Sequence, residues 1–88
     1  MARTWETLEK SAAARTSTLA EIDELIPQLN ERMDTMQGLM REHLTALRGY
    51  LLGGMPQEYQ STVDMAREIL PEIEPAELKN RLGEILNS

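Results

Sequence analysis

From Trp5 to Tyr50 this chain places a side chain suited to burial at alternating steps of three and four. The series runs Trp5, Leu8, Ala12, Arg15, Leu19, Ile22, Ile26, Leu29, Met33, Met36, Met40, His43, Leu47 and Tyr50, and only Arg15 and His43 break its apolar character. A 3,4 spacing sustained for about seven heptads belongs to helices that bury a seam against another helix. The spacing therefore predicts helix and a helical neighbour. It does not say what the assembly is for.

The stripe is wider than a two-stranded seam requires. Leu25 and Leu39 flank it on one side, Leu44 and Leu51 on the other, so it calls for two neighbours and favours a bundle over an isolated zipper. The rest of the chain offers one such neighbour. Gly53, Gly54 and Pro56 read as a helix stop followed by a helix start. Beyond them Tyr59, Val63, Ala66, Ile69, Leu70 and Ile73 share one helical face. Pro71 ends or bends that return arm, and Pro75 opens a last helix with Leu78, Leu82, Ile85 and Leu86 as its stripe. The expected fold is all-α: an antiparallel helical hairpin or small bundle with coiled-coil-like heptad packing, oligomeric, in a single domain over residues 1–88.

Within that domain four segments are expected. Residues 1–17 form a flexible or separate N-terminal helix, because Thr16 to Thr18 interrupt a thin seam and Thr18 with Glu21 reads as a capping box. Residues 18–52 form one long helix kinked at Pro27, with a true break there as the alternative. Its arm from about Gln28 to Leu52 would extend roughly 37 Å. Residues 56–70 form the return helix, and 75–87 the last one.

Composition narrows the function classes. With 88 residues and no cysteine the chain has one small core and neither disulfides nor thiolate metal sites to reinforce it, so a partner or a second copy is expected to help. The net charge is −6, with acid concentrated from Glu21 to Asp34 and from Glu68 to Glu77. That sign repels phosphate backbones and anionic lipid heads and argues against nucleic-acid partners. No apolar run approaches the ~20 residues of a membrane span. No signal-type apolar core follows the start, and Glu6 and Glu9 do not suit a transit peptide, so a cytoplasmic protein is expected.

No catalytic constellation is visible. Ser11, Ser17, Ser61 and Ser88 share one histidine and lack a glycine elbow. Gly38, Gly49, Gly53, Gly54 and Gly83 lack phosphate-cradle spacing. The chain is expected to be a non-enzyme without cofactor or metal, since His43 alone cannot assemble a zinc site. His43 reads as a residue that sets helix register or senses pH. Arg41 and Arg48, seven apart, are a possible anion contact or part of a solvated face.

The stretch from Met40 through Leu70 resembles the small needle-subunit co-chaperones of type III secretion systems. The residues that carry the likeness are Gly53 and Gly54, then Tyr59 and Gln60, then Ala66, Ile69 and Leu70, about a third of the chain. The resemblance implies a cytoplasmic helical hairpin that, with a second chaperone, keeps an aggregation-prone subunit from polymerising early. The segment before Thr18 and the helix after Pro75 make this chain longer than that pattern.

The function expected is protein–protein interaction: self-association, or sequestration of an amphipathic helix, through Ile22, Leu25, Ile26, Leu29, Met33, Met36, Met40, Leu44, Leu47 and Tyr59. Three methionines in that stripe, Met33, Met36 and Met40, suit either an adaptable docking face or an irregular core. Two alternatives stand beside it. One is a homo-oligomeric structural or phage-type assembly protein. The other, less favoured, is a small-molecule binder with pockets between protomers.

Overall fold

The computed structural model describes residues 3–87, and among them there are helices and no strand. Five α-helices follow one another: α1 (Trp5–Lys10), α2 (Ala12–Leu25), α3 (Met36–Gly53), α4 (Pro56–Ile69) and α5 (Ala76–Leu86). Single 3₁₀ turns, Ile26–Gln28 and Leu70–Glu72, close α2 and α4.

A single residue separates α1 from α2. Ser11 is extended, at φ −126° and ψ 109°, and its hydroxyl accepts from the Ala14 N–H at 3.1 Å, capping α2. Such a cap is worth about 1 kcal/mol. The exposed end of α1 is closed by Arg15, whose Nη1 donates to the carbonyls of Leu8 and Glu9 at 2.7 and 2.8 Å. The expected helix start at Thr18 is therefore not used. Thr18 lies mid-helix and buried, accepting from Arg3 Nη1 at 3.4 Å, and Arg3 also pairs with the Glu21 carboxylate.

The long helix expected over 18–52 is two helices. Pro27 lacks the N–H that would continue α2 and its ring meets the preceding turn, so α2 ends at Leu25 and the chain becomes extended at Leu29. Residues 29–35 then form a built connection. The Asn30 N–H donates to Gln37 Oε1 at 2.9 Å, Asn30 Oδ1 accepts from the Arg32 N–H at 2.8 Å, and the Thr35 hydroxyl donates to the Arg32 carbonyl at 2.7 Å. Thr35 also caps α3 by accepting from the Gly38 N–H at 2.9 Å. The Arg32 carbonyl comes so close to Gly38 that a Cβ there would lie 1.8 Å from its oxygen. Glycine is required at this position by space.

The turn from α3 to α4 is as the sequence suggests. Gly54 takes the left-handed conformation, φ 66° and ψ 45°, and the Met55 N–H reaches back to the Tyr50 carbonyl at 3.0 Å, a Schellman closure. Pro56 then starts α4, and α3 and α4 make the most extensive contact between any two elements. At the far end α5 is tied on by Arg67 Nε to the Leu86 carbonyl at 2.6 Å and by Arg81 to Glu24 of α2 at 3.0 Å.

All five helices feed one core, which includes Leu8, Ile22, Leu44, Tyr59, Ala66 and Leu82. The buried face differs in phase from the 3,4 series. In α2 it is Ala14, Thr18, Ile22 and Leu25 rather than Arg15, Leu19 and Ile26. In α3 it is Met40, Leu44, Leu47 and Leu51, so His43 and Tyr50 are flanking and only half-buried. The total accessible surface is 5147 Å² for a 10.0 kDa chain. A folded monomer of that mass is expected to expose roughly 5,200 Å². The chain thus covers its own stripe without a second molecule.

Two of the helical glycines, Gly38 and Gly49, make a paired test. A methyl group added at Gly49 would meet nothing within 4 Å, whereas one at Gly38 would strike backbone. Gly49→Ala is expected to raise stability by up to about 1 kcal/mol. Gly38→Ala is expected to lower it by about 2 kcal/mol or more, because the connection must move. Urea midpoints for the two variants should shift in opposite directions; equal midpoints would contradict the close approach of residues 32 and 38.

Candidate functional site

Most of the stripe expected to dock a partner is interior. Ile22, Leu25, Leu29, Met40, Leu44, Leu47 and Tyr59 are buried in the chain's own core, and Ile26 is half-buried against it. Their expected role as an open docking surface is corrected accordingly: α4 and α5 already occupy that face. Only Met33 and Met36 of these expected docking residues stand out in solvent, at 53 and 37% exposure. They belong to the 29–35 connection and the first residue of α3, where the chain is not one rod.

Arg41 and Arg48 each make a contact within the chain. Arg41 Nε donates to the Ile26 carbonyl at 3.2 Å and Arg48 Nε to Asp23 Oδ1 at 2.7 Å, so both pin α3 to the end of α2. His43 is half-buried and has no hydrogen-bond partner among the described residues. It therefore fixes no register through hydrogen bonding.

The hairpin tip presents apolar surface that the 3,4 series did not include. Leu52 is 59% exposed and Met55 41%, while Met65, in the second half of α4 and away from the tip, is 48% exposed. A cleft of about 380 Å³ opens beside Leu52, walled by Trp5, Leu51 and Pro56 and edged by Glu9 and Arg15. Trp5 is held there by α1, whose Leu8 is fully buried, and by an aromatic contact with Tyr59 of α4, ring centroids 5.4 Å apart at 56°. A second cleft, about 320 Å³, lies along α4 between Tyr50, Glu58, Thr62 and Met65. The signal for this surface is in the sequence: Leu52 and Met65 are large apolar residues one step out of phase with the buried faces of α3 and α4.

Charge is distributed unevenly over the molecule. All nine Lys and Arg side chains are engaged within the chain. Six of them are in ion pairs with carboxylates, and Arg15, Arg41 and Lys79 donate to backbone carbonyls. Among the described residues Glu31, Glu72, Glu74 and Glu77 carry no ion pair. They lie in the 29–35 connection and around the start of α5, which the Gln37 amide joins by donating to the Glu74 carbonyl. Also without an ion pair are Glu9 and Glu58 near the tip and Glu42 and Glu68 along α3 and α4.

Two groups titrate away from their ordinary values in ways that matter here. Burial pushes the Tyr59 phenol above its usual 10.0, with the Arg3 charge opposing, and the Tyr59 hydroxyl is buried without a hydrogen-bond partner. The hydrogen bond from Arg81, then its charge, holds the Glu24 carboxyl below its usual 4.5. No three His, Asp or Glu side chains among the described residues are grouped to hold a metal, and no described helix is long and apolar enough to cross a membrane. Comparison with protein-family models, with curated proteins and with solved structures returns no match.

Because the folded-state pKa of Glu24 is depressed, its pair with Arg81 stabilises the fold above the ordinary carboxyl value and the contribution is lost as pH falls through the folded value. Glu24→Gln should melt below the wild type at about pH 7, and the two curves should converge on acidification toward about pH 3. A gap that stays constant across that range would show the pair to be without effect.

Proposed function

We propose that this chain is a non-enzymatic protein-interaction module that pairs with a second copy of itself through the hairpin tip. The observation that carries the reading is the joint exposure of Leu52 and Met55 at the turn, with Leu52 lining the cleft walled by Trp5. Two large apolar side chains at one turn beside an apolar-walled cleft form the kind of patch that marks interaction surfaces.

Charge sets the orientation in which a second copy would pair. Two chains of net charge −6 repel, and the repulsion is smallest when their most acidic ends are farthest apart. The tip and the acidic end are separated by the 18 residues of α3, about 27 Å at 1.5 Å per residue. That exceeds the ~8 Å screening length at physiological salt several times over. Tip-to-tip pairing brings together the less acidic ends and leaves the others in solvent.

The contact would be small. The two shorter dimensions of the molecule are 22 and 21 Å, and stable interfaces bury about 1,200–2,000 Å². Pairing confined to one end is therefore weak and concentration-dependent, which separates this reading from a permanent structural assembly. The reading keeps the cytoplasmic setting expected from composition.

The needle-subunit co-chaperone reading remains a proposal with the same surface as its docking face. The residues that suggested it have local duties in this hairpin: Gly54 closes α3, Tyr59, Ala66 and Leu70 are core, and Gln60 donates to Asp64 at 3.0 Å. Any hairpin of this geometry would select for them. On that reading a helical client would compete with the second copy for Leu52 and Met55.

Sedimentation velocity decides the matter. The wild type should pass from monomer toward dimer as concentration rises to about 1 mM, the weak end of the affinity scale. Leu52→Asp combined with Met55→Asp should remain monomeric throughout with an unchanged circular-dichroism spectrum. A wild type that stays at 10.0 kDa throughout, or a variant that pairs as well as the wild type, would overturn tip pairing.

A further inference from the structure

The end of the molecule opposite the tip carries a different surface. Met33 and Met36 are exposed there on a connection that is held in shape rather than loose. Gln37 accepts from the Asn30 N–H and donates to the Glu74 carbonyl, Arg32 pairs with Asp34 at 2.8 Å, and Gly38 lies against the Arg32 carbonyl. The two thioether side chains are thus presented from fixed backbone beside Glu31 and Glu74. Glu72 and Glu77 follow on the same junction, before and just inside α5. None of these four carboxylates is in an ion pair among the described residues, and Lys79 of the same junction donates to the Pro71 carbonyl at 3.4 Å instead.

We infer that this end docks a cationic amphipathic segment of another protein, its apolar face on Met33 and Met36 and its Lys or Arg side chains against Glu31, Glu72, Glu74 and Glu77. The inference is independent of tip pairing. The charge pattern selects the occupant. A second copy of this chain brings a net charge of −6, and six of its nine Lys and Arg are already in ion pairs, so like charge opposes it at this end. Nucleic acid and anionic lipid carry the wrong sign. A basic segment supplies the missing charge, and methionine, being flexible and polarizable, accommodates apolar side chains of varied shape. Exposed carboxylates give on-rate and selectivity, while the thioethers give desolvated contact.

The test uses the full chain and a synthetic amphipathic helix of Leu and Lys about 18 residues long, five turns, against its Leu and Glu counterpart. Methionine methyl resonances are followed during titration. The Lys peptide should bind saturably with one-to-one stoichiometry and shift the Met33 and Met36 methyls while leaving Met55 and Met65 in place. Its affinity should fall with added salt, and the Glu peptide should not bind. Met33→Ala with Met36→Ala, and separately Glu72→Gln with Glu74→Gln and Glu77→Gln, should each weaken binding by about tenfold or more, a measurable step on the affinity scale. Leu52→Asp should leave it unchanged. Shifts centred on Met55 or Met65, non-saturating binding, or equal binding of both peptides would overturn the assignment, and the wild-type methyl map reads this even where a variant fails to fold.

Discussion

The architecture turns on the break at Pro27. Had the backbone continued as helix from Leu19 to Leu52, the apolar stripe would lie along one rod longer than α4 and α5 can shield completely. A proline one residue after Ile26 removes the hydrogen bond that would carry α2 onward, and the 29–35 connection reverses the chain so that α2 packs on α3. The return is fixed from both sides. Arg41 and Arg48 reach from α3 to the last turns of α2, and Gly38 admits the Arg32 carbonyl where any side chain would exclude it. Once the chain turns back, a stripe that looked in need of a partner helix finds its partners in the same molecule.

That reversal explains where sequence reasoning succeeds and where it fails. Helix content, the Gly54 to Pro56 turn, the return helix and the last helix are legible because each rests on local chemistry: a left-handed glycine, a proline in a first turn, one apolar face per segment. The long helix and its seam are misread because Leu29, Met33 and Met36 continue a 3,4 series across residues that are not helical. Periodicity records spacing along the chain. It does not register that Asn30, Thr35 and Gln37 commit their side chains to backbone groups and so hold residues 29–35 outside any helix. The N-terminal segment shows the same limit: Thr18 and Glu21 have capping-box spacing, yet Ser11 caps α2 and Arg15 closes α1, which depends on a contact seven residues apart.

Of the stripe assigned to docking, Met33 and Met36 are the members left outside, and the exposed tip residues Leu52 and Met55, with Met65 of α4, lie outside it altogether. Phase is the reason. On a buried helix the informative large apolar residue is the one that falls off the inward face, since the inward ones are accounted for by the core. Leu52 next to the buried Leu51, and Met65 next to the buried Ala66, carry that signature without any tertiary knowledge. The charge asymmetry, by contrast, needs the fold. Composition reports an excess of acid, but only the contacts reveal that six of the nine cations are taken up in ion pairs and that four unpaired carboxylates lie between the 29–35 connection and the start of α5.

The tip also depends on the least self-sufficient part of the chain. A helix of six residues such as α1 does not persist alone in water, because nucleation costs more than so few hydrogen bonds return. It persists by burying Leu8 completely, by setting Trp5 against Tyr59 and by the Arg3 contacts to Thr18 and Glu21. Trp5 in turn forms one wall of the cleft beside Leu52. Docking of α1 and formation of that cleft are therefore one equilibrium, and whatever occupies the cleft in contact with Trp5 must favour the docked state by its own binding free energy. The acidic end shares none of these residues. Its methionines are set by the 29–35 connection, so the two ends of the bundle can be occupied without competing for the same side chains.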